Sequence, residues 1–589
     1  MQAPHTARQE SAAQPGRSAA GVALRAALAV AGGYALTAAG MALLARTLPV
    51  TRVEAVIAAT LLSFLCYALI AMACFGGVRQ GVRQAMAWLH AWTGLLTCWV
   101  LLLVFASGTA SYYRDEISAW MRPELRAAAP AAAAGATSPA ILADAALRAL
   151  QDRAPGAARW SIELPDERNP FTTIGWSDAA GKRPQTALLD PASGAALPAP
   201  RDTLGGDFFF RLHFDLHYMP KEWGRWIVGV CAMFMLVAIL SGVVTHRRIF
   251  ADFFTFRPRK GQRSWLDAHN ALAVLALPFH LLITYTGLVT LMFMYMPFPK
   301  QALYGADQKT WLADAYPGTR HRVKSPGAPA AMTPLAPLLA SAGAYWQGAA
   351  PARIDIHHPG KANAMVAITR GGGAQLSNTE PAMYFSGADG RLLAREDYSE
   401  AGASETRRAL YGLHVGRFAD PLLRALLFAC SLAGCAMVAT GALLWGVKRR
   451  RDAAAAPPRS AARGHPGLRL VDALNLGAIA GLPLAFGACL WSNRLLPAGL
   501  AGRAELEVLC FFGAWAAAAV LAQISPTLRM WRWQLGCAAA LLCAIPLLDA
   551  ATAPRIMPLF DAVLAGLGAL LGYAAWRLKR QAGRKGAPA

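Results

Sequence analysis

Charge is scarce in this sequence, and acidic charge scarcer still. Only 15% of its 589 residues are Asp, Glu, Lys or Arg, and 34 acidic residues face 57 basic ones. A soluble domain needs more polar side chains than that to cover its surface, so with 55% apolar residues the chain reads as a polytopic α-helical membrane protein. A net charge of +23 would suggest a nucleic-acid partner only if the basic residues gathered on a soluble face. They stand instead at the ends of apolar runs, which argues against nucleic acid and for a lipid bilayer. Cysteine is missing where a disulfide framework would need it. All ten lie in or at the edges of apolar runs, so they read as small packing residues, with no CxxC redox pair. No dinucleotide fingerprint, flavin-type loop or soluble cytoplasmic domain is present. Gly371–Gly373 lack the strand-before, helix-after context of a nucleotide loop and read as a hairpin turn.

About ten runs have the roughly 20 residues needed to span a bilayer. They are Val22 to Leu44, Val53 to Phe75, Met86 to Tyr112, Trp226 to Val244, Asn270 to Tyr295, Pro421 to Trp445, Ala473 to Trp491, Leu506 to Ile524, Trp533 to Leu548 (short, and broken by Pro546) and Leu559 to Trp576. Basic clusters after the second, fourth, sixth and last runs orient the chain by the positive-inside rule. Both termini are then cytoplasmic, and the polar stretches after runs three and five face outward, which in a bacterial inner membrane is the periplasm. The N-terminal segment lacks a small-residue cleavage site after a short apolar core, so no removed signal peptide is expected.

Within the fifth run, His269 and His280 stand eleven residues apart. On a continuous helix that spacing returns a side chain to within about 20° of the same face, roughly 16 Å further on. Both imidazoles would then look toward the same neighbours, which suits stacked redox centres and suits plain helix packing equally. A repeat sharpens the question. His90 precedes Gly108 by 18 residues, as His269 precedes Gly287. A polar unit follows each: SPAILADAALRALQ, RWSIEL and FTTIGW after the first; TPLAPLLASAGAYW, ARIDIHH, AMVAI and MYFSGADGRLL after the second. Both predict a helix followed by strands. Each unit ends in a histidine-bearing approach, FRLHFDLHYMP or LYGLHVGRFADP, to a return span carrying Ser241-Gly242 or Thr440-Gly441. Sites in duplicated membrane folds tend to form at the repeat interface.

The motifs LHAWTGLL, LHFDLHYMP, SGVVTHRR, WLDAHN and YGLHVGRF, in that order over Gln84 to Arg450, resemble the PepSY proteins with PepSY-associated transmembrane helices. Within that family the likeness is greatest to the iron-regulated inner-membrane ferrisiderophore reductases of the pyoverdine type. The resemblance implies two small α+β PepSY-like periplasmic modules, two b-type haems and electron flow outward to a ferric chelate. The expected organisation is a two-span module (1–84), a first repeat (85–250, outer module about 113–212) and a second repeat (251–450, outer module about 300–410). A basic linker (451–467) and a four-span module (468–589) complete it.

A histidine inside a span is costly unless partnered, and packing against a carbonyl or serine is the plain alternative to ligation. Matched positions make His90 and His269 one expected bis-imidazole pair, and His217 and His414 the other, with His213 a substitute one turn from His217. His280 has Leu101 as its counterpart, so an alternative ligand, a propionate contact and packing all remain open. His246 reads as interfacial beside a basic cluster, with a haem-propionate contact as the alternative, and His357 and His358 read as solvated strand residues, with receipt of a ferric substrate as the lesser alternative. MFMYMP (Met292 to Pro297) reads as lining of an outer interface rather than a soft metal site. Arg211, Arg225 and Arg417 are candidate contacts for an anionic chelate. Electrons must come from a partner, a quinol or a cytoplasmic reductase, and periplasmic iron-release partners would follow. The competing expectation is a non-redox binding, assembly or protease-regulating protein, in which the spans only anchor the outer modules.

Overall fold

The structure is a computed structural model that describes residues 27–75, 81–127, 138–178, 185–190, 194–246, 257, 262–316, 326–371, 375–377, 381–396, 402–454 and 466–585. Two long helices open it, α1 (Leu28–Thr47) and α2 (Arg52–Phe75). The first repeat is α3 (Val82–Ser111), α4 (Arg114–Trp120), α5 (Pro139–Arg153), β1 (Arg159–Glu163), β2 (Thr172–Ser177), β3 (Gln185–Leu189), α6 (Gly206–Asp215) and α7 (Lys221–Thr245). The second is α8 (Gln262–Leu275), α9 (Leu277–Thr290), α10 (Leu335–Tyr345), β4 (Pro351–His357), β5 (Met365–Arg370), β6 (Ala382–Ser386), β7 (Leu392–Glu396), α11 (Ala403–Val415) and α12 (Pro421–Arg451). Four helices follow: α13 (Gly467–Leu495), α14 (Arg503–Ile524), α15 (Leu528–Thr552) and α16 (Pro558–Arg580). Among the described residues nine helices are long and apolar enough to span a membrane, and the pair α8 and α9 makes a tenth if taken as one span.

That pair is bent by 67°. Pro278, in the first turn of α9, cannot donate a backbone hydrogen bond and crowds the carbonyl four residues earlier, so the helix breaks at Ala276. The eleven-residue spacing of His269 and His280 therefore does not put them on one helical face, and they have different neighbours. The ninth run is longer than its sequence suggested. Pro546 opens a new turn after Ala544, and the helix continues to Thr552.

The two polar units do not fold as separate modules. Their strands form one antiparallel sheet in the order β3-β2-β1-β4-β5-β6-β7. It is joined where β1 meets β4, with Arg159 opposite His357, Ser161 opposite Asp355 and Glu163 opposite Arg353. Antiparallel pairing of equivalent strands is what a pseudo-twofold between the repeats requires. Alternation decides the faces. Ile162, Ile354, Ile356 and Ile368 turn to one side and pack beneath α5 and α10 with Leu147, Leu150, Leu335 and Leu339. On the other side Asp355 is bridged by Arg159 and Arg353. Burial works against the ionised Asp355 carboxylate, but the two guanidiniums outweigh it and hold the group below its ordinary range.

Ion pairs tie the sheet to the ends of the spans. Arg168, between β1 and β2, reaches Asp115 and Glu116 on α4, and Glu116 also accepts from Arg424 at the start of α12. At the same end a buried cluster docks the last four helices. Asp549 accepts from Arg126 and Arg494, and Arg494 also bonds the Trp120 carbonyl at 2.6 Å with its guanidinium 4.0 Å over the Trp120 ring. Within MFMYMP, Met292 and Tyr295 pack in a buried cluster with residues of α1, α2, α3 and α7, and Met296 is buried as well. All ten cysteines are free.

Candidate functional site

Four histidines meet in two pairs. His90 on α3 and His269 on α8 have ring centroids 6.2 Å apart. His213 on α6 and His414 on α11 are 6.0 Å apart. Each pair takes one member from each repeat. The first pair lies toward the ends of the spans remote from the sheet, the second at the sheet side. Along α3 the levels are about 27 Å apart, measured from His90 to Gly108, where the His213 ring rests.

One local device builds all four positions. A Cβ on Gly242 would come within 3.2 Å of the His90 ring, and one on Gly441 within 3.1 Å of the His269 ring. On Gly108 it would come within 2.8 Å of His213, and on Gly287 within 3.1 Å of His414. Each ring thus lies in a notch left by the missing Cβ, tightest at Gly108. From there Nδ1 reaches the carbonyl one helical turn before the glycine: Ala238 at 2.7 Å for His90, Met437 at 3.0 Å for His269 and Val104 at 2.8 Å for His213. His414 bonds Thr286 Oγ1 at 3.0 Å beside the Ile283 carbonyl, four residues before Gly287. A carbonyl only accepts, so Nδ1 carries the proton. Thr286 Oγ1 donates to the Leu282 carbonyl, so it too accepts from the imidazole. The Nε2 lone pairs are left unprotonated. Among the described residues none of these Nε2 atoms makes a hydrogen bond.

Each level thus offers two neutral imidazole nitrogens, with orientation fixed through the other ring nitrogen, as in well-ordered metal sites. Among the described residues no group of three or more His, Cys, Asp or Glu side chains could hold a bare metal ion. The donor set suits a metal that brings its own equatorial ligands in a planar macrocycle.

Two expected residues stand elsewhere. His217 does not face His414. The helix bearing His213 ends at Asp215, and Leu216 and Tyr218 take left-handed φ angles of 54° and 56°. His217 therefore leaves the helical register and stacks on Phe512 of α14 at 5.4 Å and 20°. Burial in that stack lowers its pKa, against the pull of Glu505. His280 belongs to neither pair. It is fully buried beside Phe105 and Phe279. Among the described residues neither ring nitrogen has a well-formed hydrogen bond, although the Cys430 and Ala273 carbonyls lie near.

Of the arginines, Arg225 is bound to buried Asp215 at 2.7 Å and serves the turn after α6. Arg211 extends outward 4.0 Å from the same carboxylate, with a side chain 61% exposed, and Arg417 is exposed three residues beyond His414. His246 closes α7 at the end remote from the sheet. His357 lies on the polar face of β4, and His358 follows with φ 50°. His5, His321, His465 and part of the Gly371–Gly373 turn fall outside the described residues.

This duplicated unit, with its paired strands and its histidines at two depths, coincides with a known family. The sequence pattern described as PepSY-associated TM region matches residues 87–448. The chain belongs to the PepSY-associated transmembrane family. It is also 30% identical over 388 residues to an uncharacterized protein of Pseudomonas aeruginosa, an alignment covering 61% of this chain and 92% of that relative. Family and fold together make it a multi-pass membrane protein. The family match begins after α1 and α2 and ends before the last four helices, so those six spans are additions to the duplicated unit.

Proposed function

We propose that this family member is a di-haem b electron-transfer protein of the bacterial inner membrane, with the sheet in the periplasm, where it reduces a ferric siderophore and releases Fe(II). The observation that carries the reading is the pair of matched bis-imidazole sites at two depths. Two metal–nitrogen bonds of about 2 Å, each with about 1.1 Å from Nε2 to the ring centre, call for a centroid separation of roughly 6.2 Å. The observed values are 6.2 and 6.0 Å. Haem would supply the one-electron chemistry.

The chain's own residues supply the rest. His90 with His269, and His213 with His414, would hold the two haems, one at each level. The carbonyls beneath Nδ1 of His90, His213 and His269, and the Thr286 hydroxyl beneath that of His414, fix the imidazole tautomers, and the apolar walls would tune the potentials. Arg211 and Arg417, next to the sheet-side pair, are placed to meet an anionic ferric chelate. One electron from a quinol or a cytoplasmic reductase is consumed per Fe(III). Fe(II) binds the hard oxygen donors of the chelator more weakly and leaves, to be taken up by periplasmic iron-release partners.

The test is a reduced-minus-oxidised spectrum of the purified protein, with haem and protein quantified, followed by reduction of a ferric siderophore read with a ferrous-specific dye. Sharp b-type bands at two haems per chain are expected. A colourless, fully folded protein would overturn the proposal and leave the sheet as a binding or protease-regulating module anchored by the spans.

A further inference from the structure

The first two helices lie outside the duplicated unit, yet one of them reaches into it. Helix α11, which ends with His414 in its last turn, begins after Gly402 at φ 100°, a conformation open in practice to glycine alone. Glycine has no side chain to cap the helix, and the first backbone N–H groups of a helix need acceptors from elsewhere. They find one 349 residues away. The carboxylate of Glu54, in the first turn of α2, accepts from the Ala403 N–H and lies 3.1 and 3.3 Å from the Ser404 nitrogen. A Cβ on Gly402 would stand 2.6 Å from Oε2, so residue 402 leaves the space that the carboxylate fills. A negative group at that end also complements the helix dipole.

The same helix α2 holds the other wall of the histidine's notch. Tyr285 on α9, two residues before Gly287, donates to the Leu61 carbonyl at 2.9 Å. Ala403 and Leu410 of α11 pack into the cluster around Ile57, Leu61 and Phe64. Helix α2 therefore braces both the helix that carries His414 and the helix that carries its glycine. The first repeat caps its own histidine helix, although the last four helices pack against that helix through Phe486 and Phe511. Its α6 starts after Gly205 at φ 56°, and its Gly206 N–H is capped at 3.0 Å by Ser118 of α4, within the repeat.

We infer that Glu54 is a positioning residue for the sheet-side histidine pair: by capping α11 it sets where His414 stands, which makes the added N-terminal spans part of the site. The inference rests on the di-haem reading only for its redox consequence. Cap and brace are features of the chain itself.

The full chain in detergent is compared as wild type, Glu54→Ala and Glu54→Gln by hydrogen–deuterium exchange and by a redox titration followed by EPR. In the Ala variant, amides 403–408 should exchange about ten-fold faster while those of α6 are unchanged. The Gln variant, which keeps one acceptor oxygen, should lie between. The two low-spin signals, from pairs with interplanar angles of 33° and 65°, should respond unequally. The His213–His414 signal should shift or lose intensity, and the His90–His269 signal should stay. Unchanged exchange in α11, or equal loss at both levels as from a general folding defect, overturns the inference. Colourless wild-type protein would refute the di-haem reading, and exchange at 403–408 would then decide the cap alone.

Discussion

Gly108→Ala is the smallest change with the largest expected effect on the sheet-side site. The added methyl would stand 2.8 Å from Nδ1 and Cε1 of His213, whereas ordinary contact begins at 3.4 Å, so the ring must retreat by about 0.6 Å. It cannot do so without stretching its 2.8 Å bond to the Val104 carbonyl toward a length at which little bonding remains. Overpacking of this kind costs about 1–3 kcal/mol, and a weakened buried hydrogen bond adds about 1 kcal/mol. The sheet-side site should then hold its group on the order of 30- to 1000-fold less tightly. The same methyl at Gly242, Gly287 or Gly441 approaches only to 3.1–3.2 Å, so milder losses are expected there, at the remote level for Gly242 and Gly441. Gly94, on the same helix as Gly108, has nothing within 4 Å of its would-be Cβ, and Gly94→Ala is the harmless control. Haem-to-protein ratios and redox titrations of the four notch variants and the control make the assay. A Gly108→Ala protein with an unaltered sheet-side signal, or with loss at the remote level instead, would refute the notch argument.

Under the proposed di-haem reading, His213→Ala should abolish the sheet-side haem, whereas His217→Ala should leave the haem-to-protein ratio at its wild-type value. His280→Leu, which installs the residue type found at buried Leu101 in the first repeat, should leave the haem-to-protein ratio unchanged and raise the thermal midpoint, since it removes two buried nitrogens that lack a well-formed hydrogen bond among the described residues. Asp549→Ala leaves Arg126 and Arg494 without their shared counter-charge and should cost about 3–5 kcal/mol, seen as a lowered thermal midpoint. The folded-state pKa of Asp355 is depressed, so its contribution is fully present above the unfolded carboxylate value near about 4 and is lost as pH falls through the lower folded value. Asp355→Asn should flatten that acid limb in a tryptophan-fluorescence titration.

The parts of the site that sequence spacing located are those the notch geometry constrains. His90 to Gly108 and His269 to Gly287 repeat because each glycine must meet a ring from the other histidine level of its own repeat. The choice between His213 and His217 had no such anchor. They precede Gly242 by 29 and 25 residues, while His414 precedes Gly441 by 27, so spacing falls midway. The deciding feature, a turn with positive φ at Leu216 and Tyr218, involves residue types that give no local warning of it. The bend at Ala276 is legible in Pro278, which interrupts the apolar run. Fusion of the two modules into one sheet was not, because alternation reveals which face of β1 and β4 is buried but not which strand lies alongside, and the partners are almost two hundred residues apart.

The departures from symmetry gather in the second repeat: the broken span, the unpartnered His280 and a histidine helix capped from outside. A continuous α3 carries His90 and the Gly108 notch on one rod, so in the first repeat a single helix sets the spacing between levels. In the second repeat the corresponding rod is cut at Ala276, and His269 and Gly287 stand on separate pieces. Something must then fix the piece that bears Gly287. The Tyr285 bond to α2 and the Glu54 cap on the facing helix do so from the same neighbour. On this argument the added N-terminal spans compensate for the rigidity lost at the bend, and the two histidine levels keep their separation because each repeat solves the same mechanical problem by a different route.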